Sequence, residues 1–391
     1  MNDDRAFDAL SLAEAALAEA MLDGVTEAEA LVMAEDSALT RFANSEIHQN
    51  VAETNSVVNL RVVIGKRIGV ASTGRTDPEG LRRLAQNAAA IAGVVEELDD
   101  WGGLPGPSQA TPIAAGYSAA TAGASPEFRA EGARAVIAAA DAAGVIAYGS
   151  FATSLESTAV ANSNGVRVAG TRTTSQLITV SMGPGGGTGY AEAAAVDAST
   201  INPAAIGREA ADKARATADA VSIEPGDYPV VLEEYSVVDL LDMLGYLGFS
   251  ALAVQEERSF FEPGKRIGSD VVTIRDDGRD PAGLPLWFDF EGVAKQRVEL
   301  VEHGVCRDVV HDSQTAARAG VTSTGHGLPA PNPYGPFPLN MVMEPGTATR
   351  EELIGGLEQG LLVTRFHYTN PVHPKLAIVT GMTRDGTFLV E

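Results

Sequence analysis

The chain has 391 residues, 45% of them hydrophobic, and its 52 acidic and 28 basic residues give a formal charge of -24. That length and apolar content support two folded domains and exclude general disorder. The negative charge excludes nucleic acid and anionic membranes as natural partners and favours cationic or unfolded polypeptide. The single Cys306 excludes an internal disulfide framework. The acidic start Met-Asn-Asp-Asp lacks the character of a signal peptide, no run approaches the roughly 18 apolar residues of a membrane span, and a cytoplasmic protein is expected.

Alanine, leucine and acidic residues recur with helical period from Arg5 to Leu22, and Asp23-Gly24 ends the pattern. Short alternating runs follow at Glu29 to Met33, Leu39 to Phe42, Ile47 to Glu53 and Val57 to Ile64. Asn44-Ser45, Thr54-Asn55 and Gly65-Lys66 punctuate them, which predicts an antiparallel meander. Asp77-Pro78 then opens a helix running through Leu81, Leu84 and Ala88 toward Ile91.

The same layout is repeated after the Gly/Pro-rich stretch from Gly102 to Pro107. Ser125-Pro126 starts a helix to Ala143, strands follow from Val145, and Asn202-Pro203 opens another helix. Ala161-Asn162-Ser163 echoes Ala43-Asn44-Ser45, so residues 1–100 and 125–222 read as two helix, meander, helix halves of one N-terminal domain, 1–222.

Ile223 to Tyr228 breaks the last helix and opens a second domain, 223–391. Its expected elements are a strand at Pro229 to Leu232, a helix from Ser236 to about Gly245, short strands separated by turns, and a helix from Thr349 to about Leu361. The class is α+β, with a β-rich C-terminal domain of barrel-like or sandwich type.

Two phrases near the C-terminus, Val363-Thr-Arg-Phe-His-Tyr-Thr-Asn370 and Thr380-Gly-Met-Thr-Arg-Asp-Gly-Thr-Phe-Leu-Val390, resemble the TldD/PmbA family. Phe288-Asp-Phe-Glu-Gly292, Glu302 to Asp312, Ser323-Thr-Gly325 and Glu344-Pro-Gly346 extend the resemblance over most of the chain. The family comprises zinc-dependent peptidases and metal-free partner subunits. Its catalytic members carry His-Glu-x-x-x-His on a helix early in the C-terminal half, which places two imidazoles on one face for Zn²⁺. No such motif occurs in this sequence, and the matching stretch, Val238 to Phe249, offers carboxylate but no imidazole. A further ligand in catalytic members is a cysteine nearer the C-terminus than these phrases. The sequence ends at Glu391 without it, so the resemblance implies a domain short of the family's usual last strands.

Other chemistry is thin. The six histidines, at 48, 303, 311, 326, 367 and 373, never take helical metal-ligand spacing. His303 and Cys306 have an odd separation, which points them to opposite faces of one strand, and Pro371 interrupts the chain between His367 and His373. Gly183 to Gly189 lacks the Lys-Ser/Thr of a phosphate loop and reads as a hairpin loop. No Gly-x-Ser-x-Gly elbow exists. Asp276-Asp277 beside Gly278 reads as a turn, and Asp289 and Glu291 read as neighbours on one strand face that bind backbone or a cation.

Tyr368, Asn370, Thr380, Gly381, Thr383 and Arg384 are the candidate peptide-binding or interface residues, with Asp385-Gly386 as the turn of their hairpin. The resulting expectation is a metal-free TldE/PmbA-like, non-catalytic subunit that binds no cofactor itself. It pairs with a zinc-bearing TldD-like peptidase, or with itself, and admits unfolded polypeptide. The alternatives are a metallopeptidase with an atypical metal site and a homo-oligomeric peptide-binding protein.

Overall fold

The computed structural model describes residues 2–391. Its N-terminal part is a six-stranded antiparallel sheet with helices on one face. In chain order the elements are α1 (Asn2–Ala20), β1 (Glu27–Ala43), β2 (Glu46–Ile64), β3 (Arg67–Thr73), α2 (Pro78–Val94), the single turn α3 (Ala119–Ala122), α4 (Pro126–Ala143), β4 (Ile146–Asn162), β5 (Arg167–Met182), β6 (Thr188–Ala195) and α5 (Pro203–Ala216). The sheet order is β3-β2-β1-β4-β5-β6, so two three-stranded meanders meet along β1 and β4. That central pairing is continuous from Glu29 opposite Asn162 to Phe42 opposite Gly149.

Local chemistry accounts for the helix starts. Asp77, Ser125 and Asn202 each accept a hydrogen bond from a backbone N–H three residues on, and proline follows each cap, where its missing N–H costs nothing. α1 and α2 bury Ala13, Ala16, Leu84 and Ala88 against Val32, Leu60 and Ala159, while α4 and α5 bury Val136, Ala140 and Ala214 against Phe151 and Leu177. The two halves use the same close approach. A Cβ at Gly69 of β3 would lie 2.0 Å from the Ala88 carbonyl oxygen of α2, and one at Gly189 of β6 would lie 2.1 Å from that of Ala210 in α5. Only glycine lets each outer strand sit so near its helix.

The meander has fewer and longer strands than the expected runs. Thr54-Asn55, read as a turn, is paired in mid-strand with Asp36 and Glu35, because hydrogen bonding across a wide sheet overrides local turn propensity. Gly183 to Gly187 closes the β5–β6 hairpin, as its composition implied.

The remaining elements are β7 (Val230–Leu232), α6 (Glu234–Leu247), α7 (Ala251–Gln255), β8 (Ile274–Asp276), β9 (Val298–Glu302), β10 (Val305–Cys306), α8 (Ser313–Ala319), β11 (Met341–Met343), α9 (Arg350–Gly355), β12 (Gly360–His373) and β13 (Ile378–Val390). They form a four-stranded sheet, β10-β9-β8-β11, and a three-stranded sheet, β13-β12-β7. Among the described residues no sheet closes into a barrel. Leu241, Phe249, Phe260, Ile274, Leu300 and Val310 form the core between them. Trp287 and Phe288 pack on the helix-free face of the N-terminal sheet, against Leu31 and Val160.

Three local expectations change. The last helix ends at Gly355 instead of near Leu361, where two successive glycines remove helix propensity. Asp385-Gly386 is a bulge within β13, since the register passes from Val363 opposite Thr387 to Arg365 opposite Arg384. The β12–β13 turn is made by Pro374 to Ala377. Among the described residues no helix is long and apolar enough to cross a membrane.

Candidate functional site

The helix matching the catalytic stretch of the resemblance is α6, and its surroundings are well defined. Its first turn is pinned to β12 by Ser236, whose hydroxyl oxygen lies 2.8 and 2.9 Å from the carbonyl oxygens of Val363 and Thr364. Glu233, before the helix, is buried between Lys213 at 2.6 Å and the Arg350 guanidinium. One turn on, Asp239 accepts a hydrogen bond from the Thr369 hydroxyl. Burial, with the nearby Asp239 charge, raises the Asp242 carboxyl above its ordinary range.

Two carboxylates one turn apart, one already bonded to threonine, are a poor donor set for zinc, which takes four tetrahedral nitrogen, sulfur or carboxylate ligands. Among the described residues no group of three or more His, Cys, Asp or Glu side chains is arranged to hold a metal ion. The residues present therefore do not fit the family's zinc. His303 lies in the β9–β10 turn at φ 50°, whereas Cys306 is buried in the apolar core, so the two do not converge.

The opposite side of α6 forms the wall of a groove of about 550 Å³, lined by Val231, Val238, Leu241, Met341, Met343 and Leu353 among others. Both β7 and β11 are edge strands. The bonds from Asp277 N–H to the Asn340 carbonyl and from Glu344 N–H to the Thr273 carbonyl set the antiparallel alternation. Met341 and Met343 consequently turn their own N–H and C=O groups away from β8. In β7, the bonds from Leu361 N–H to Pro229 and from Glu233 N–H to Val363 leave the backbone groups of Val230 and Leu232 facing away from β12. An apolar groove with open strand edges is suited to holding an extended chain through main-chain hydrogen bonds.

The candidate residues named from the sequence all lie on the β12–β13 hairpin but divide into two groups. Thr380, Gly381 and Thr383 line a cavity of about 190 Å³ with Leu240 and Phe366, against α6. Tyr368 and Arg384 are outward, and the Asn370 amide donates to the Tyr368 carbonyl at 2.6 Å. Arg384 lies 2.8 Å from His367 Nε2 and 3.7 Å from Asp385. Asp385 instead binds Arg365, whose guanidinium stacks 3.9 Å from the Tyr190 ring centre.

Sequence reasoning missed two buried ionic clusters. Asp276, read as part of a turn, ends β8 fully buried, 2.7 Å from His326 Nε2 and 3.8 Å from Lys295. Burial opposes its ionisation, yet the His326 hydrogen bond and the Lys295 charge hold its carboxyl below the usual range. Burial, helped by Lys295, pushes His326 down, so a neutral ring donating from Nε2 to Asp276 suits the network. The only signal was that His326 adjoins the Ser323-Thr-Gly325 phrase.

Asp289 and Glu291 are separated by a tight turn, in contrast to the shared strand face expected. Asp289 accepts N–H groups from Glu291, Val293 and Gly327, and the positive φ of Gly292 completes that turn. Glu291 crosses to the N-terminal sheet, where Arg61 lies 3.0 Å from it and 2.8 Å from Glu29. Ser313 binds the other Glu291 oxygen. The Arg61 cluster joins the two parts of the molecule, whereas the Asp276 cluster lies within the C-terminal part.

Family models for PmbA/TldA metallopeptidase domain 1, central domain and C-terminal domain match residues 28–92, 121–218 and 225–391. A metalloprotease TldD homolog of Haemophilus influenzae is 29% identical over 172 residues, covering 42% of this chain and 36% of that protein. A zinc metalloprotease TldD homolog of Saccharolobus solfataricus is 31% identical over 144 residues, 34% of this chain and 31% of the relative. The matched stretches thus span about a third of these curated relatives. The fold is that of TldE from Thermococcus kodakarensis, with a TM-score of 0.83 and 22% identity over 94% of this chain and 85% of that one. A putative modulator of a DNA gyrase from Thermotoga maritima gives a TM-score of 0.81 with 23% identity, over 92% of this chain and 83% of that one.

Proposed function

Because the chain belongs to the PmbA/TldD metallopeptidase family, we propose that it is a metal-free, TldE/PmbA-like subunit that pairs with a zinc-bearing TldD-like subunit and holds unfolded polypeptide for cleavage there. One observation carries the reading. The helix where the resemblance expects zinc ligands presents Val238 and Leu241 to an apolar groove and has no imidazole. An extended segment in that groove pairs its backbone with Met341 and Met343 and rests its side chains on the apolar wall, a sequence-tolerant mode of binding. Thr380, Gly381 and Thr383 form the neighbouring wall on the hairpin side, and Tyr368, Asn370 and Arg384 belong to an interface. A reducing cytoplasm suits the lone buried Cys306.

The test is a peptidase assay on a zinc-bearing TldD-like subunit with and without this chain, using an unfolded peptide. Addition of the chain is expected to raise hydrolysis. Val238→Glu, at a half-exposed groove position, should weaken peptide binding while leaving the melting temperature unchanged. Equal hydrolysis by the zinc subunit alone, or undiminished binding by the variant, contradicts the proposal.

A further inference from the structure

We propose that the cavity at the seam between the N-terminal sheet and the C-terminal region binds the amino-terminal residue of a polypeptide, recognised as an α-ammonium group followed by a carbonyl oxygen. This goes beyond the subunit reading, since neither the groove beside α6 nor a zinc-bearing partner takes part. The cavity measures about 390 Å³ and is lined by Arg61 of β2, Ile68 and Val70 of β3, Trp101 from the segment after α2, Leu252 of α7 and Asp312 before α8. That volume is at the lower end of small-ligand sites, roughly 300–1,000 Å³, which suits the end of a chain better than an extended run. The walls are pinned. Gln314 of α8 accepts from the Gly102 N–H at 3.2 Å and donates to the Asp100 carbonyl at 2.8 Å, which fastens the segment carrying Trp101. Trp101 itself donates from Nε1 to Glu27 at 2.8 Å. On the C-terminal side, Asn332 closes a turn through the Tyr334 N–H and the Gly335 carbonyl. Ligand sites are commonly preformed in this way and often lie between domains.

Two polar groups of the lining are only partly used. Arg61, its side chain 11% exposed, directs Nη2 to Glu29 at 2.8 Å and to Glu291 at 3.0 Å, while its Nε is buried without an acceptor. A buried donor left unpaired is costly, and a ligand carbonyl oxygen satisfies it. Asp312 accepts the Thr315 N–H and hydroxyl on Oδ1, each at 2.7 Å, and its Oδ2 has no hydrogen bond among the described residues. The surrounding charge selects the rest of the ligand. Arg61 stands against Glu29, Glu291 and Asp312, because Arg318, also on the wall, is held by Asp100. Burial and the Glu291 charge raise the Asp312 carboxyl, and a bound cation relieves that repulsion. A carboxylate or phosphate ligand would add to the negative surplus. An amine alone leaves Arg61 unanswered, and a neutral amide alone leaves the surplus charge. An α-ammonium on Asp312 with the adjoining carbonyl on Arg61 meets both, as charge-assisted hydrogen bonds do best. The Arg61 guanidinium carbon lies 5.7 Å from the Trp101 ring centre, so the polar and apolar walls adjoin. The first side chain of the ligand then rests on Trp101, Ile68 and Val70.

Calorimetric titration of the full chain with leucinamide tests this. Saturable binding is expected, with N-acetyl-leucinamide, which lacks the charge, and isopentylamine, which lacks the carbonyl, at least about tenfold weaker. Asp312→Asn keeps an oxygen for Thr315 and should weaken leucinamide at least about tenfold. Val70→Trp fills the cavity and should abolish binding, which decides the matter if Asp312→Asn does not fold. Val238→Glu, in the α6 groove, should bind leucinamide as the unaltered protein does. No binding of leucinamide, equal binding of its acetylated form, or binding undiminished in both cavity variants would overturn the proposal. Equal affinity for leucine would assign the cavity to free amino acids and overturn the chain-end reading. None of these outcomes bears on whether a zinc-bearing subunit is stimulated, so the two readings fail separately.

Discussion

The N-terminal sheet and the C-terminal region solve stability differently. The sheet buries alanine, valine and leucine beneath four helices, with long strands and an unbroken register in its central β1–β4 pairing. The C-terminal region uses strands of two to five residues in its four-stranded sheet and buries Asp276, Asp289, Glu291, Lys295 and His326. Apolar burial tolerates modest repacking, whereas a buried charge demands its partner. The first region is thus a scaffold, and the second is where a change of one atom type has large effects.

The comparison breaks most readily at the seam. Arg61→Met leaves Glu29 and Glu291 buried without their shared cation, and a loss of about 3–5 kcal/mol is expected. Urea denaturation that finds less than about 1 kcal/mol would mean that the seam is open to water. Next come the paired truncations Leu84→Ala in the sheet core and Leu241→Ala at the groove. Both leucines are buried, and each change should cost about 2–5 kcal/mol. Leu241→Ala should also weaken peptide binding, which Leu84→Ala should leave intact in the folded protein.

The regions should also respond differently to pH. Burial, reinforced by Glu291, raises the Asp289 carboxyl to about 8 despite its three backbone donors, and burial likewise raises Glu29 and Asp312. A carboxyl raised in this way binds its proton more tightly in the folded chain than in the unfolded one. Its contribution is fully present below the ordinary carboxylate value near about 4 and is lost as pH rises through the folded value. The contribution of Asp289 to stability should therefore decline across that window, and Asp289→Asn should remove it. An Asp289→Asn variant whose stability follows pH just as that of the unaltered protein does would contradict the raised Asp289 carboxyl. The smallest effect is expected at Arg384, whose own side chain is half exposed. Arg384→Ala should change stability by at most about 1 kcal/mol, and a larger loss in thermal melting would make the hairpin a part of the core.

Much of the sheet was legible in the sequence because its signals are local: capped helices with proline at the first position, period-two runs and an echoed Ala-Asn-Ser tripeptide. Strand lengths were not, since Thr54-Asn55 obeys its neighbours across the sheet over its own turn propensity. The missing imidazoles of α6 could be read directly. The groove beside it could not, because its walls come from β7, α6, β11 and α9, more than a hundred residues apart. The Asp276–His326 and Arg61–Glu291 contacts likewise join residues 50 and 230 positions apart, and nothing in local composition marks such pairs.

The most direct test of the central claim is the zinc content of the purified, dialysed chain, measured together with its hydrolysis of an unfolded peptide in the absence of any partner. The α6 donor set predicts no stoichiometric zinc and no hydrolysis by the chain alone. About one tightly held zinc per chain, with hydrolysis that is lost when the metal is removed and restored when it is returned, would contradict the account.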